Sequence, residues 1–354
     1  KAWEKHGEDF ENRERKLFDE EVAEFEELGV ALLKEGEEAL ARPLLLRAWL
    51  LDGDREKAAR ALGLKKLAHS FAVPKTQKAV TGNPGVSGEG ESGLLGSVLG
   101  VRTTVRSCGS AAAEITGSAE KAVQLARLGH QAQVLTACRF RQTLARPGWV
   151  ILVVARDEEQ WNRFVDGMGV ADPQNAIAKR IGSLSGAAPR LFMACRGGSN
   201  TLFAHAVAEF VLFFGSDNEC PAWLHEAVGV DTSITLLGQP GTPCIAYESS
   251  TGLQMKDALS DHRQWARLML RRAAAGDMAK LPQLVYAQIQ AMGPEDVMAS
   301  WLYYRYLLLE FPDGLGKYLE AVASGDDPEE NFADGFDESA QYVMDEFVAL
   351  FLGE

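Results

Sequence analysis

Apolar and polar positions follow helical spacing through most of the chain, and strand-like stretches are confined to its middle. Residues 101–105 alternate like a strand, and 118–140 repeat like a helix. The apolar runs at 149–154 and 191–195 are typical of buried strands. In chain order these elements predict a mixed α/β unit, with 191–195 as an edge strand leading into a helix that starts near Thr201.

Both ends of the chain are predicted to be helical. Residues 257–275, 294–311 and 339–351 have helical periodicity. Between 24 and 63 the pattern resembles a tetratricopeptide repeat, in which small residues let two antiparallel helices pack closely. An isolated repeat cannot bury its apolar face, so we expect this hairpin to dock on the rest of the chain or on a partner. Pro43 is awkward inside the second helix and is a candidate for its start.

A Gly/Ser-rich stretch, 81–100, separates these regions and is predicted to be a flexible linker. It contains one formal match to the dinucleotide-binding pattern, at Gly88, Gly90 and Gly93. We reject that match because no apolar strand leads into it and because Glu89 and Glu91 would repel a pyrophosphate. The resulting division is a helical segment at 1–80, the linker, and a domain at 101–354, which is α+β to residue 230 and helical beyond it.

The charge of the chain is concentrated at one end. The formal net charge is −14, and residues 310–354 hold 13 acidic side chains against one basic one, a local net of −12. Such a region repels nucleic acid and anionic membranes, and its simplest interpretation is a solvated helical face. A stripe of arginines at helical spacing is expected to pair with it: Arg263, Arg267, Arg271 and Arg272.

The sequence gives only weak signals for a membrane span or for a disulfide-forming cysteine pattern. The longest apolar run, 203–214, is interrupted by charged or polar residues and is too short for a membrane span. The chain begins with Lys1, which fits a cleaved secretory signal and an extracytoplasmic location. Its five cysteines form no C-x-x-C pair. Two interpretations stay open, a disulfide near the candidate site or buried free thiols, for these residues: Cys108, Cys138, Cys195, Cys220 and Cys244.

The candidate chemistry lies between residues 201 and 229. Zinc peptidases use H-E-x-x-H on one helix, where two histidines bind Zn²⁺ and the glutamate activates water. Here His205 holds the first position, Ala206 replaces the general base and Glu209 replaces the second histidine. A later phrase, PAWLHE, supplies Glu226 at the place of a third ligand.

Two interpretations of these residues stay open. His205, Glu209 and Glu226 form a one-histidine, two-carboxylate set suited to Zn²⁺, Mn²⁺ or Fe²⁺; alternatively, His205 and Glu209 simply hydrogen-bond each other in a relic pocket. His225 is expected to point elsewhere on its helix. Should the chain be active, Glu248 or Asp217 would be the substitute base.

Other candidate residues are predicted to be structural. His130 and His262 lie in helical stretches without ligand spacing, and 107–109 (Ser-Cys-Gly) suggests a thiol nucleophile only superficially. Four aromatic residues are expected to pack within one helix: Trp301, Tyr303, Tyr304 and Tyr306.

With these pieces in order, the chain resembles the peptidase-MA-like family of bacterial extracytoplasmic proteins. Those proteins often carry a tetratricopeptide-like segment before a gluzincin-type domain. The segments that carry the resemblance include RTTVRS, ILVVARDEEQWNRF, HAVAE and PAWLHEAVG. The resemblance implies a zincin-like α+β fold, with His205 and Glu226 at the first and third zinc-ligand positions.

The changes at positions 206 and 209 decide the predicted function. Alanine cannot accept a proton from metal-bound water, and general acid–base contributions are typically about 10²–10⁴-fold. We therefore expect a non-catalytic, peptidase-like protein that acts as a structural or accessory protein-binding subunit without a catalytic cofactor. The alternative is a metal-dependent hydrolase with a variant His205/Glu209/Glu226 site, holding zinc. Protein partners are expected, and nucleic acid is not.

Overall fold

One mixed sheet lies among many helices, which makes the fold α+β. The structure is a computed structural model. It describes residues 2–82, 84–87, 93–141, 150–186, 191–217, 219–241, 259, 261–325 and 327–353, with side chains from residue 12 onward.

The chain starts with three helices: α1 (Ala2–Lys34), α2 (Glu38–Leu51) and α3 (Glu56–Ala61). Helices α1 and α2 pack as the predicted antiparallel hairpin. Gly29 makes this approach possible, since an added Cβ would lie 2.7 Å from Cγ of Leu45. The alternative start at Pro43 is wrong: Pro43 lies inside α2, one turn beyond its first residues.

The hairpin docks on the rest of the chain, as predicted. Leu45 and Trp49 of α2 belong to the same apolar core as Leu302 and Phe347 from the C-terminal helices. Arg305 also crosses to α2 and donates to the carbonyl of Trp49 at 3.3 Å. The N-terminal helices therefore bury their apolar face within this chain.

The middle of the chain forms a two-stranded hairpin and a six-stranded sheet. The elements in chain order are β1 (Lys65–Leu67), β2 (Ser70–Ala72), α4 (Pro74–Thr81), β3 (Val86–Ser87), α5 (Leu94–Leu99), β4 (Thr104–Cys108), β5 (Ala111–Ile115), α6 (Ala119–Phe140), β6 (Val150–Ala155), α7 (Glu158–Gly167), α8 (Gln174–Ile181), β7 (Ser183–Gly186) and β8 (Leu191–Arg196). The larger sheet has the order β3-β4-β5-β6-β8-β7, with β5, β6 and β8 parallel and the other pairs antiparallel.

Two strand predictions need correction. The strand predicted at 101–105 begins three residues later, because its antiparallel partner β5 fixes the register from Thr104 to Cys108. The segment at 191–195 is not an edge strand: β8 lies between β6 and β7, and β7 takes the edge. The helix predicted at 118–140 is confirmed as α6, which Ser118 caps, and Asp157 caps α7.

The prediction of a flexible linker at 81–100 is wrong for the part of this stretch that the structure describes. Val86 and Ser87 pair with β4, and α5 buries Leu95. A buried carboxylate explains this helix: Glu114 of β5 accepts hydrogen bonds from the backbone N–H groups of Leu95 (2.8 Å) and Gly96 (2.9 Å). This end of α5 is thus already occupied by an anion of the chain itself. Gly88 and Gly90 lie outside the described residues.

The remaining elements are helical: α9 (Asn200–Gly215), α10 (Ala222–Leu237), α11 (Trp265–Ala274), α12 (Leu281–Leu284), α13 (Pro294–Glu310), α14 (Gly314–Val322), α15 (Pro328–Phe336) and α16 (Ala340–Leu352), with short 3₁₀ turns at His262–Gln264 and Ile289–Ala291. The predicted helices at 294–311 and 339–351 are confirmed, and so is the packing role of the aromatic residues of α13, which are all buried. Among the described helices, none has the length and apolar character needed to cross a membrane.

The arginine stripe does not pair with the acidic C-terminal region in the described part of the chain. Arg267 and Arg271 contact Glu14 of α1, and Arg272 contacts Glu295 at the start of α13. Helix α11 packs against both the N-terminal hairpin and α16, but the acidic residues that its arginines contact belong to α1 and α13. Arg267 and Arg271 therefore link α11 to α1.

Candidate functional site

The first helix of the site, α9, starts from a sharp turn after β8. Gly197 and Gly198 both have φ of +76°, a region that favours glycine, and so reverse the chain direction. Ser199 then caps the helix, with its Oγ accepting the backbone N–H of Leu202. Because His205 and Glu209 are four residues apart, they lie on one face of α9, as predicted.

The second helix, α10, brings Glu226 to the same point. The donor atoms of His205, Glu209 and Glu226 all lie within 4.8 Å of one another, and all three residues are buried. The imidazole Nε2–H of His205 donates to Oε1 of Glu209 at 2.8 Å, and Oε2 of Glu226 lies 3.9 Å from the same nitrogen. The predicted juxtaposition of these side chains is confirmed, whereas their role as metal ligands stays a prediction.

Gly229, one turn after Glu226, makes room for the imidazole. A Cβ at this position would lie 2.6 Å from Nε2 and 2.7 Å from two carbons of the His205 ring. Such distances are well inside the 3.5–4.0 Å optimum for non-bonded atoms. The helix backbone at Gly229 is therefore one wall of the site.

The prediction for His225 is wrong. Its Nδ1 lies 3.2 Å from Oε1 of Glu209, and its side chain is 23% exposed. His225 and Glu226 are about 100° apart on α10, but α9 packs closely enough against this end of the helix to contact both. Glu209 therefore bridges two imidazoles, His205 on its own helix and His225 on the next.

The electrostatics favour a charged His205. Burial alone would lower its pKa, but the carboxylates of Glu209 and Glu226 outweigh that effect and raise the pKa to about 9. At neutral pH the imidazolium thus compensates part of the negative charge of the two glutamates. Burial, and then the charge of Glu209, raise the pKa of the nearby Cys220 thiol, which stays protonated.

The side chain at position 206 faces away from the His205, Glu209 and Glu226 cluster. Ala206 is 5% exposed and packs in the apolar core between α9, α6 and the sheet. Of the substitute bases considered from the sequence, Asp217 is exposed just beyond the C-terminal end of α9, and Glu248 lies outside the described residues. No described carboxylate other than Glu209 and Glu226 contacts His205.

The donor set fits a divalent cation. One imidazole and two carboxylates suit Zn²⁺, Mn²⁺ or Fe²⁺, and His205, Glu209 and Glu226 would hold the ion. Such an ion would have to displace the proton of His205, so its affinity would fall at low pH. The same residues also pair with one another, which is the other interpretation left open by the sequence.

The remaining cysteine and histidine candidates lie elsewhere. Cys108, Cys138, Cys195 and Cys220 are free thiols, and Cys244 lies outside the described residues. Burial raises the pKa of Cys108, which is unfavourable for a nucleophile. His130 accepts the backbone N–H of Ser110 at 3.2 Å, and His262 packs edge-on against Trp265 and Trp301, so both fit structural roles.

Comparisons of the chain with protein-family models, with curated proteins and with solved structures found no match. The likeness to the peptidase-MA-like family therefore depends on the motifs of the sequence alone.

Proposed function

We propose that this chain is a non-catalytic, metallopeptidase-like protein that acts as a structural or accessory subunit by binding another protein. The observation that carries the proposal is the buried cluster in which His205 pairs with Glu209 and lies beside Glu226. Beside it, the position of a general base holds Ala206, whose methyl group packs in the core.

Burial is the first argument against hydrolysis. A peptidase must present metal-bound water to its substrate and to a base. His205 and Glu226 are 0% exposed and Glu209 is 7% exposed. A peptide carbonyl therefore has no direct access to these atoms in this structure.

The missing base is the second argument. Removing a general base typically costs about 10²–10⁴-fold in rate. Ala206 cannot take a proton, and Glu209 already contacts two histidines. A carboxylate engaged in this way holds the cluster together and is poorly placed to activate water.

The N-terminal hairpin is the proposed contact surface for a partner. Its inner face is buried against the C-terminal helices, while three leucines point outward: Leu17, Leu28 and Leu40, which are 66%, 52% and 60% exposed. Large exposed apolar side chains on one segment favour a protein contact. We expect Leu28→Gln to reduce capture of a native partner, with Ile177→Gln on α8, where the side chain is 42% exposed, as the control. Equal capture by both variants would contradict this surface.

The alternative function, a metal-dependent hydrolase, is favoured by one observation: the three donors already lie within 4.8 Å. Metal analysis of the purified chain separates the two functions. Stoichiometric zinc that is lost in His205→Ala would support the metal site of the hydrolase. Metal content that is negligible and equal in both proteins is the result expected for the ion-pair cluster.

A further inference from the structure

A cavity of about 480 Å³ lies where the N-terminal hairpin meets the C-terminal helices. Its walls come from α1, the loop after α2, the β1–β2 turn, α11 and α13. This volume is within the range of about 300–1,000 Å³ that is usual for small-molecule sites. None of its described lining residues belongs to the His205 cluster, so it is a separate feature of the molecule.

Arg305 is the unusual residue of this cavity. It is 3% exposed, and its guanidinium stacks on the rings of Trp49 (3.8 Å) and Trp301 (4.7 Å). It donates to the Trp49 carbonyl, but no carboxylate among the described residues lies within ion-pair distance of it. Burial lowers its pKa to about 10, although the charges of Asp231, Asp52 and Asp54 act in the opposite direction.

Other buried arginines of the described chain do have carboxylate partners. Arg139 pairs with Asp231 at 2.5 Å, and Arg47 pairs with Glu21 at 3.3 Å. Asp231 is held by Arg139 and by the indole N–H of Trp301 at 3.0 Å, and it acts on Arg305 through its charge without an ion-pair contact. Among the described residues no carboxylate contacts the Arg305 guanidinium directly, so an anion from outside that does contact it would be favoured here.

The charges around the cavity define the class of ligand. Its described lining holds four arginines and four aspartates, a formal net charge of zero: Arg15, Arg263, Arg267, Arg305, Asp19, Asp52, Asp54 and Asp261. The aspartates would repel a polyphosphate, whereas a mixed lining suits a molecule with both charges. Asp52 and Asp54 are close enough to act on the charge of Arg305. Phe18 and Trp301 add an apolar wall.

We propose that this cavity binds a free α-amino acid, with its carboxylate on Arg305 and its ammonium group facing Asp54. The planar guanidinium matches a carboxylate through two parallel hydrogen bonds. The apolar wall formed by Phe18 and Trp301 favours a large apolar or aromatic side chain. This site is independent of the proposed function at His205.

The test is the thermal midpoint of the full chain with each of the natural amino acids, because a ligand that binds only the folded state raises it. Phenylalanine is compared with phenethylamine, which lacks the carboxylate, with hydrocinnamate, which lacks the amine, and with inorganic phosphate. We expect a saturable rise for at least one apolar amino acid and a smaller one for hydrocinnamate. Absence of any rise up to about 10 mM, tenfold above the ~1 mM upper end of usual substrate affinities, would overturn the proposal.

Three variants locate the binding. Arg305→Lys should weaken amino-acid binding at least about tenfold, because lysine cannot pair in bidentate fashion. The exposed Asp54→Asn should fold normally and reduce binding to the level of hydrocinnamate, whereas Asp334→Asn on α15, outside the cavity, should change nothing. Undiminished binding in Asp54→Asn would overturn the proposal, even if Arg305→Lys failed to fold.

Discussion

Replacement of Gly229 by alanine tests the packing of the candidate site most sharply. In a helix without steric conflict, Gly→Ala stabilises a protein by about 1 kcal/mol, because glycine is conformationally freer in the unfolded chain. At Gly229 the new Cβ would lie 2.6 Å from Nε2 of His205, so the ring would have to retreat by roughly 1 Å to reach ordinary contact. The two effects therefore have opposite signs.

The ring has little freedom to retreat. His205 is fully buried, and its Nε2–H is held by Glu209 at 2.8 Å. Overpacking of this kind costs about 1–3 kcal/mol. After subtraction of the gain of about 1 kcal/mol in helix propensity, we expect Gly229→Ala to destabilise the fold by up to about 2 kcal/mol.

The control is the same substitution in a His205→Ala background, where the ring is absent. There Gly229→Ala should stabilise by up to about 1 kcal/mol, which gives a coupling of about 1–3 kcal/mol between the two positions. Urea unfolding of the wild type, both single variants and the double variant measures this cycle. Stabilisation by Gly229→Ala in the wild-type background would refute the placement of His205 against α10.

Three further predictions concern buried charge. With chelator present, the stabilisation of the fold by protonated His205 should be complete below pH 6.5, its ordinary pKa. It should be lost as the pH rises through about 9, and the loss should be no more than about 3 kcal/mol. Unfolding of the wild type and of His205→Gln at several pH values checks this, and equal slopes of stability against pH would contradict it. Ala206→Glu should destabilise by about 3 kcal/mol or more without creating peptidase activity, because it buries a carboxylate in the core. Glu114→Gln should cost about 2 kcal/mol in chemical unfolding, since an amide nitrogen cannot accept from the start of α5, whereas the exposed Glu120→Gln should cost almost nothing.

Local signals were enough to predict much of the site from the sequence. The spacing of His205 and Glu209 and the later Glu226 are sufficient to bring three donors together, because each depends on a helix with clear boundaries. Ser199 caps the first of these helices. A glycine three residues after Glu226 was a further available signal, since only a residue without a side chain admits the His205 ring.

Features that depend on distant residues could not be predicted in this way. The helix within the predicted linker is stabilised by Glu114, which lies on a strand about twenty residues later. The alanine-rich strand β5 has no alternating pattern, because both of its faces are buried. The contact between His225 and Glu209 depends on how two helices pack, which periodicity does not determine.

Casein hydrolysis by the purified chain tests directly whether the His205 cluster performs any hydrolysis. Wild type and His205→Ala are assayed side by side, with added zinc and again with chelator. Because the base position is Ala206 and the donors are buried, we predict that all four samples remain at background. Activity of the wild type with zinc that disappears in His205→Ala and with chelator would contradict the account.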